Sequence, residues 1–231
     1  MTDASGRSGE RDAGRQPIWA RPERGTRGPA PAHSRDAIVV AAIALADTEG
    51  LAAVSMRAVA SALGTGAGSL YRYLSSRDDL LDLMTDRVVG EMRPYPRAEG
   101  DWLDAMLLVA RRQLALHRAH PWLLDVIHRT SGIGPESLAW FDTCIGILEP
   151  VPCAVTAKFE AIAMMTGVVS LFARSEATSG SFSFAGLDLA AYPHLVAAFS
   201  RPAAPAPRTD LFERTLRSLL TGLLAAPPEA G

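Results

Sequence analysis

Residues 55–83 read SMRAVASALGTGAGSLYRYLSSRDDLLDL, and the spacing around Gly64 decides how they fold. Ser55 is a helix-capping residue type, and Val59, Ala60 and Leu63 fall on one face of the helix behind it. Ala60 lies four residues before Gly64, where two helices would cross most closely and a larger side chain would push them apart. Gly64 accepts the positive φ that a tight turn requires. Leu70 and Tyr73 face inward after the turn. Together these positions predict a helix-turn-helix over about 18 residues, with one departure, since Thr65 stands where an apolar residue is usual. The second helix is expected over residues 67–74. Ser76 then caps another, striped by Leu80, Leu81, Met84 and Val88.

Upstream, Ser34 caps a helix that carries Ile38, Ala41, Ala42 and Leu45 and ends at Gly50. Residues 1–33 read as a disordered arm, because Gly, Pro, Ser and Arg dominate and Ile18 and Trp19 are its only large apolar residues after Met1. Downstream, Pro94 and Pro96 mark a boundary at 93–100. Further helices are expected from Asp101 through Leu114, before Pro121 restarts the chain, and over 122–129, 135–148, 153–174, 189–199 and 208–225. The predicted fold class is all-α: a three-helix head over residues 34–93 and a larger helical body over 100–226.

Composition excludes some alternatives. The chain has 231 residues, 48% of them apolar and 21% charged, as in an ordinary globular protein. Its longest uninterrupted apolar runs, such as 37–46, fall short of the roughly 20 residues of a membrane helix. The first 16 residues hold no apolar signal core. Cys144 and Cys153 cannot build a disulfide framework. A cytoplasmic protein without a membrane partner is expected. The net charge is −2, and residues 35–100 hold seven Arg against nine acids. That balance speaks against nucleic acid, whose binders usually carry a basic domain. Asp78, Asp79, Asp82 and Asp86 account for it, and all four lie along one helix that can face away from DNA.

Residues 55–83 strongly resemble the DNA-binding domain of the tetracycline-repressor (TetR) family. The resemblance covers roughly residues 34–92: a first helix ending in DTEG, then SMRAVASALG, then GSLYRYLSSRDDLLDLM. The Leu70-Tyr71-Arg72-Tyr73 run, followed by Arg77 and paired leucines, is its specific part. From Asp101 on, only the number and order of helices and Trp102 match. The resemblance implies a homodimer with one DNA-binding head per subunit on a palindromic operator in double-stranded DNA. It also implies a helical body that binds a small effector and releases the DNA. The expected function is a ligand-released transcriptional repressor, with no enzymatic activity and no cofactor.

The residues suit that role. Ala67, Gly68 and Ser69 are small and let the backbone approach the bases, while Tyr71 and Arg72 point outward. Arg57 has the reach for a bidentate contact to guanine. Ser55, Thr65, Tyr73 and Arg77 are expected as phosphate anchors. The arginines of the arm (Arg7, Arg11, Arg15, Arg21, Arg24, Arg27) could reach the DNA, although plain disorder explains them as well. In the body, Trp140, Met164, Met165, Val168 and Phe172 are candidate walls of a pocket for a mainly apolar effector, with Gln113 as polar anchor. The polar set that chelates a magnesium–drug complex in the family's namesake is not evident, so tetracycline is not expected. Phe159, Phe212, Leu216, Leu219, Leu220 and Leu223 are candidate dimer contacts in a four-helix interface.

Other signals are weaker. Gly64, Gly66 and Gly68 lack the spacing and the preceding strand of a dinucleotide fingerprint. His117, His120 and His128 have no acidic or Cys partner at ligand spacing, so no metal is expected and they read as surface or pocket polar groups. Cys144 and Cys153 read as small buried apolar residues. An enzyme would need a nucleophile–base pair that the body does not show. A helical interaction protein that kept the motif without binding DNA is the remaining competitor.

Overall fold

Ten α-helices and three short 3-10 turns make up the regular structure among the described residues of the computed structural model, which are 17–21, 33–96, 100–126, 132–177, 188, 191–200 and 210–224. The helices are α1 (Arg35–Glu49), α2 (Met56–Ala62), α3 (Ala67–Leu70), α4 (Arg77–Val89), α5 (Trp102–Ala119), α6 (Leu123–Val126), α7 (Pro135–Ile147), α8 (Val155–Ala177), α9 (Pro193–Phe199) and α10 (Leu211–Leu224). No strand occurs among the described residues. The helix starts follow from local chemistry. Ser34, Ser55 and Ser76 accept the backbone N–H three residues on, at 3.0–3.1 Å, and Asp101 accepts from Leu103 and Asp104. Gly50, at φ +82°, ends α1.

Helices α1 to α4 close the head over Ile38, Ala42, Val59, Leu70, Leu74, Leu80 and Met84, all buried. The body is built on α5, which packs on α7, α8 and α10, and α8 also packs along α10. Helix α4 belongs to both parts, since it packs on α1 within the head and on α7 of the body.

The chain departs from the sequence reading in several places. Residues 17–21 are folded: Ile18 starts a 3-10 turn and is fully packed in the core. Arg21 grips both carboxylate oxygens of Asp79 at 2.9 and 3.1 Å, and Arg35 donates to the carbonyls of Ile18 and Arg21. The two apolar residues of an otherwise polar arm are what anchor it, so we place 17–21 with the head. Residues 1–16 and 22–32 of the arm lie outside the described residues, as does His128. Helix α3 stops at Leu70, and residues 71–73 form a turn in which Arg72 N and Tyr73 N bond Ser69 O and Leu70 O at the shorter i+3 spacing. By length and hydropathy alone Val155–Ser175 could cross a membrane, although polar residues punctuate it and leave no long uninterrupted apolar run. Here this helix lies along α5 and α10.

Candidate nucleic-acid interface and its link to the body

The turn after α2 has the hydrogen bonds of a Schellman motif. Gly64, at φ +66°, donates to Ser61 O, and Thr65 N donates to Ala60 O at 2.9 Å. Ala60 is buried at the crossing of α2 and α3. Ser69 Oγ donates to Gly66 O at 2.7 Å and lies 2.8 Å from Thr65 Oγ1. These bonds fix a short, tight turn that presents Ala67, Gly68 and Ser69 ahead of Leu70, the buried anchor of α3.

Around that turn, Ser55, Arg57, Gly68, Tyr71 and Arg72 are exposed. Tyr71 is 56% exposed, a large value for an aromatic residue. Among the described residues Arg57 and Arg72 have no hydrogen-bond or ion-pair partner, so both guanidinium groups are free to meet a ligand. Three of the expected phosphate anchors are otherwise occupied. Arg77 donates to Val54 O at 3.0 Å and Leu51 O at 3.2 Å, so it clamps the loop before α2. Thr65 spends its hydroxyl on Ser69. Tyr73 is half-buried against the core. Arg21, counted with the arm, is held by Asp79. Each local pattern showed a polar side chain near the motif but not the carbonyl or carboxylate that folding brings to it.

The acidic balance of the head also has a structural answer. Asp79, Asp82 and Asp86 are buried, and Asp36 pairs with Arg87 at 2.6 Å. Much of the negative charge is thus used inside the fold and away from the exposed arginines.

Two polar clamps tie head to body, and sequence reading missed both. Asp86 of α4 accepts from Glu136 N (3.2 Å), Ser137 N (2.9 Å) and Ser137 Oγ (3.1 Å), so one carboxylate caps α7. In the second, His120 at the end of α5 places Nδ1 2.8 Å from Asp47 of α1 and Nε2 3.2 Å from Glu91. Trp122 Nε1 donates to the same Asp47 oxygen at 2.6 Å. Only the imidazolium can donate to both carboxylates. Burial by itself lowers the His120 pKa; the hydrogen bonds and negative charges of Asp47 and Glu91 outweigh it, and the net shift is upward.

Stability from this clamp is complete below the ordinary His value of about 6.5 and is lost as pH rises through the raised folded value. Thermal melts from pH 6 to 9 should therefore fall more steeply for the native chain than for His120→Gln. Equal slopes would show that the clamp holds no proton of its own.

In the body, Gln113, Trp140 and Met165 are buried, while Val168 and Phe172 are half-buried. Phe172 stacks edge-on against Phe212, which places it in the seam between α8 and α10. Met164 is corrected: it is 52% exposed and faces away from the core. His117, read from the sequence with His120 and His128 as a surface or pocket polar group, is buried with neither ring nitrogen bonded. Burial pushes the Cys144 thiol up to about 12, so it stays protonated and acts as a core residue. The dimer set divides. Phe212, Leu216 and Leu220 are buried in this chain's own core and cannot meet a partner. Phe159 and Leu223 are exposed, and Leu219 is half-buried. The apolar stripe of α10 was legible, but not which chain it packs against.

Comparison with known proteins agrees with this architecture. Residues 38–84 match the family model of bacterial regulatory proteins of the tetR family, and residues 94–226 match the Tetracyclin repressor-like C-terminal domain. The HTH-type transcriptional repressor DrrR1 of Streptomyces coeruleorubidus is 40% identical over 160 residues, 69% of this chain and 59% of that protein. An HTH-type transcriptional regulator of Saccharopolyspora erythraea is 35% identical over 122 residues, 53% of this chain and 51% of that one. The chain thus spans between half and three-fifths of the length of these curated relatives. Apo ActR from Streptomyces coelicolor superposes with a TM-score of 0.69 at 30% identity, over 86% of this chain and 97% of its own. ActR in complex with actinorhodin gives 0.70 at 27% identity, over 88% and 100%. With one family model over the helix-turn-helix and the other over more than half of its residues, the chain belongs to the tetR family of bacterial regulatory proteins.

Proposed function

We propose that the chain is a sequence-specific transcriptional repressor that binds a palindromic operator as a homodimer and leaves it when a small effector enters the body. As a regulator of the bacterial chromosome it works in the cytoplasm, with no cofactor and no catalysis. The observation that carries this reading is the free guanidinium groups of Arg57 and Arg72 beside exposed Tyr71, on a helix-turn-helix whose neighbouring arginines, Arg77 and Arg21, are engaged within the fold. Arg57 reads a base edge, Arg72 and Ser55 hold phosphate, and the small face of Ala67, Gly68 and Ser69 lets α3 enter the major groove. Dimerisation uses the outer face of α8 and α10, where Phe159, Met164, Leu171 and Leu223 are exposed. Release by an effector is supported by ActR, solved with actinorhodin and with (S)-DNPA.

Two substitutions test the assignment. Arg57→Ala should lower operator affinity by about 5- to 150-fold, the equivalent of 1–3 kcal/mol, and relax the preference at one base pair per half-site. Arg77→Ala removes two hydrogen bonds to carbonyls, so it should lower stability by about 1–2 kcal/mol and leave the sequence preference unchanged. Binding measured on a set of single-base operator variants separates the two. A loss of base preference in Arg77→Ala, or none in Arg57→Ala, would reverse the roles.

A further inference from the structure

Three polar side chains in the helical body have hydrogen-bonding atoms sealed from solvent and unpaired. They are Gln113 Oε1, both ring nitrogens of His117, and Trp140 Nε1. Their residues are 5%, 2% and 6% exposed. Gln113 and His117 are one turn apart on α5, so they share a face. Trp140 lies on α7, which packs against α5. Buried polar groups in folded proteins are nearly always bonded, and an orphan costs stability. Three on one pair of packed helices are donors and acceptors that the fold itself leaves unused.

Resting on the reading that the body takes an effector, we propose that Gln113, His117 and Trp140 are its recognition groups. The ligand they select is an uncharged molecule, a carbon skeleton carrying both hydroxyl-type donors and carbonyl- or hydroxyl-type acceptors. Each group specifies part of this chemistry. The Gln113 oxygen requires a donor, and the Trp140 indole N–H requires an acceptor. Neutral imidazole offers one N–H and one lone pair. His117 is neutral because burial lowers its pKa to about 4. Among the described residues, no Asp, Glu, Lys or Arg of α5, α7, α8 or α10 is buried. An ionised ligand would therefore enter without a counter-charge, at a prohibitive desolvation cost. Apolar surface for the skeleton is available on the helices packed around these groups, where Ile147 of α7 and Ile162 and Met165 of α8 are fully buried. The effector is thus polar at defined points and not merely apolar.

The site also explains how binding could be felt at the DNA. Its atoms are sealed, so a ligand must push side chains of α5 and α7 apart to reach them. Helix α5 ends at the His120 clamp, and α7 begins at the Asp86 cap. Both helices that carry the site are therefore fastened to the head.

Four probes of one skeleton test the proposal on the full chain by calorimetry: naphthalene, 2-naphthol, 2-naphthoate and 2-naphthylmethylammonium. The native chain should bind 2-naphthol at least tenfold tighter than naphthalene or either ion. In Gln113→Leu and in His117→Leu that preference over naphthalene should shrink below threefold. Both variants should also melt higher than the native chain by about 2–8 °C, because each removes an orphaned group. An ion bound as tightly as 2-naphthol, no probe bound at all, a preference retained in both variants, or a lower melting temperature in both would overturn the proposal. Binding of the native chain to its selected operator, measured in parallel, tells the two readings apart. A failed probe pattern with operator binding intact overturns this inference alone. Absence of operator binding overturns the regulator reading, and the probe pattern still decides the site.

Discussion

The double substitution Met164→Glu, Leu171→Glu should turn a dimer into a species of about 25 kDa and lower operator affinity at least 100-fold. The two residues lie seven apart on α8, so they share a stripe, and they are 52% and 64% exposed. Ala163 and Gly167 lie on the same exposed side, and nothing stands within 4 Å of a Cβ built on Gly167, so a second helix can approach closely. In a two-fold interface every substitution occurs twice, so four carboxylates would be brought together in an apolar contact. The monomer fold should hardly change, because substitutions at exposed sites usually shift stability by about 0.5 kcal/mol or less. Operator affinity falls because each head then binds alone and loses an effective concentration of roughly millimolar. Sedimentation and operator titration on the same samples check both halves. A variant that stays dimeric and binds within threefold of the native chain would move the interface elsewhere.

Breaking the Asp86 cap should have the second large effect. Asp86→Ala leaves two N–H groups and a hydroxyl at the start of α7 without their acceptor and removes the link between α4 and α7. The expected loss is about 2–4 kcal/mol, or roughly 4–16 °C in melting temperature. Gly134 gives an independent route to the same loss. A Cβ there would stand 2.2 Å from Asp86 Cγ, too close for any real contact, so Gly134→Ala must expel the carboxylate. The two substitutions should then be strongly non-additive, with Gly134→Ala costing far less once Asp86 is already Ala. Additive losses in that double-mutant cycle would show that Gly134 and Asp86 act separately. Since α7 also carries Trp140, the uncoupled variants should respond weakly to effector even where operator binding survives.

What the sequence made legible was local. Ser34, Ser55, Ser76 and Asp101 announce helix starts because a cap needs only a side chain and a neighbouring N–H. Gly64 announces the turn because few other residues adopt its φ. Arg57, Tyr71 and Arg72 could be placed outward from helical spacing alone. Whatever depends on contacts between distant segments stayed hidden. Arg77 looked like a free cation until folding brought Val54 O and Leu51 O to it. His120 looked like one of three scattered histidines until α1 and α5 set it between Asp47 and Glu91. Ile18 and Trp19 looked like exceptions in a polar arm, and they are the reason residues 17–21 dock. Phe212, Leu216 and Leu220 show a further limit: an amphipathic stripe says that a face is buried, not against which chain.

Selection of bound sites from a random-sequence duplex library, using the full chain at near-physiological salt, tests the central claim most directly. The account predicts enrichment of an inverted repeat whose half-site centres lie about 10 base pairs apart, or a multiple of that. Binding to it should be at least 1,000-fold tighter than to random duplex, the lower end for a specific regulator. Arg57→Ala should lose preference at one symmetric pair of positions. Failure to enrich any sequence, with the little binding that remains falling steeply with salt alike on every duplex, would contradict it.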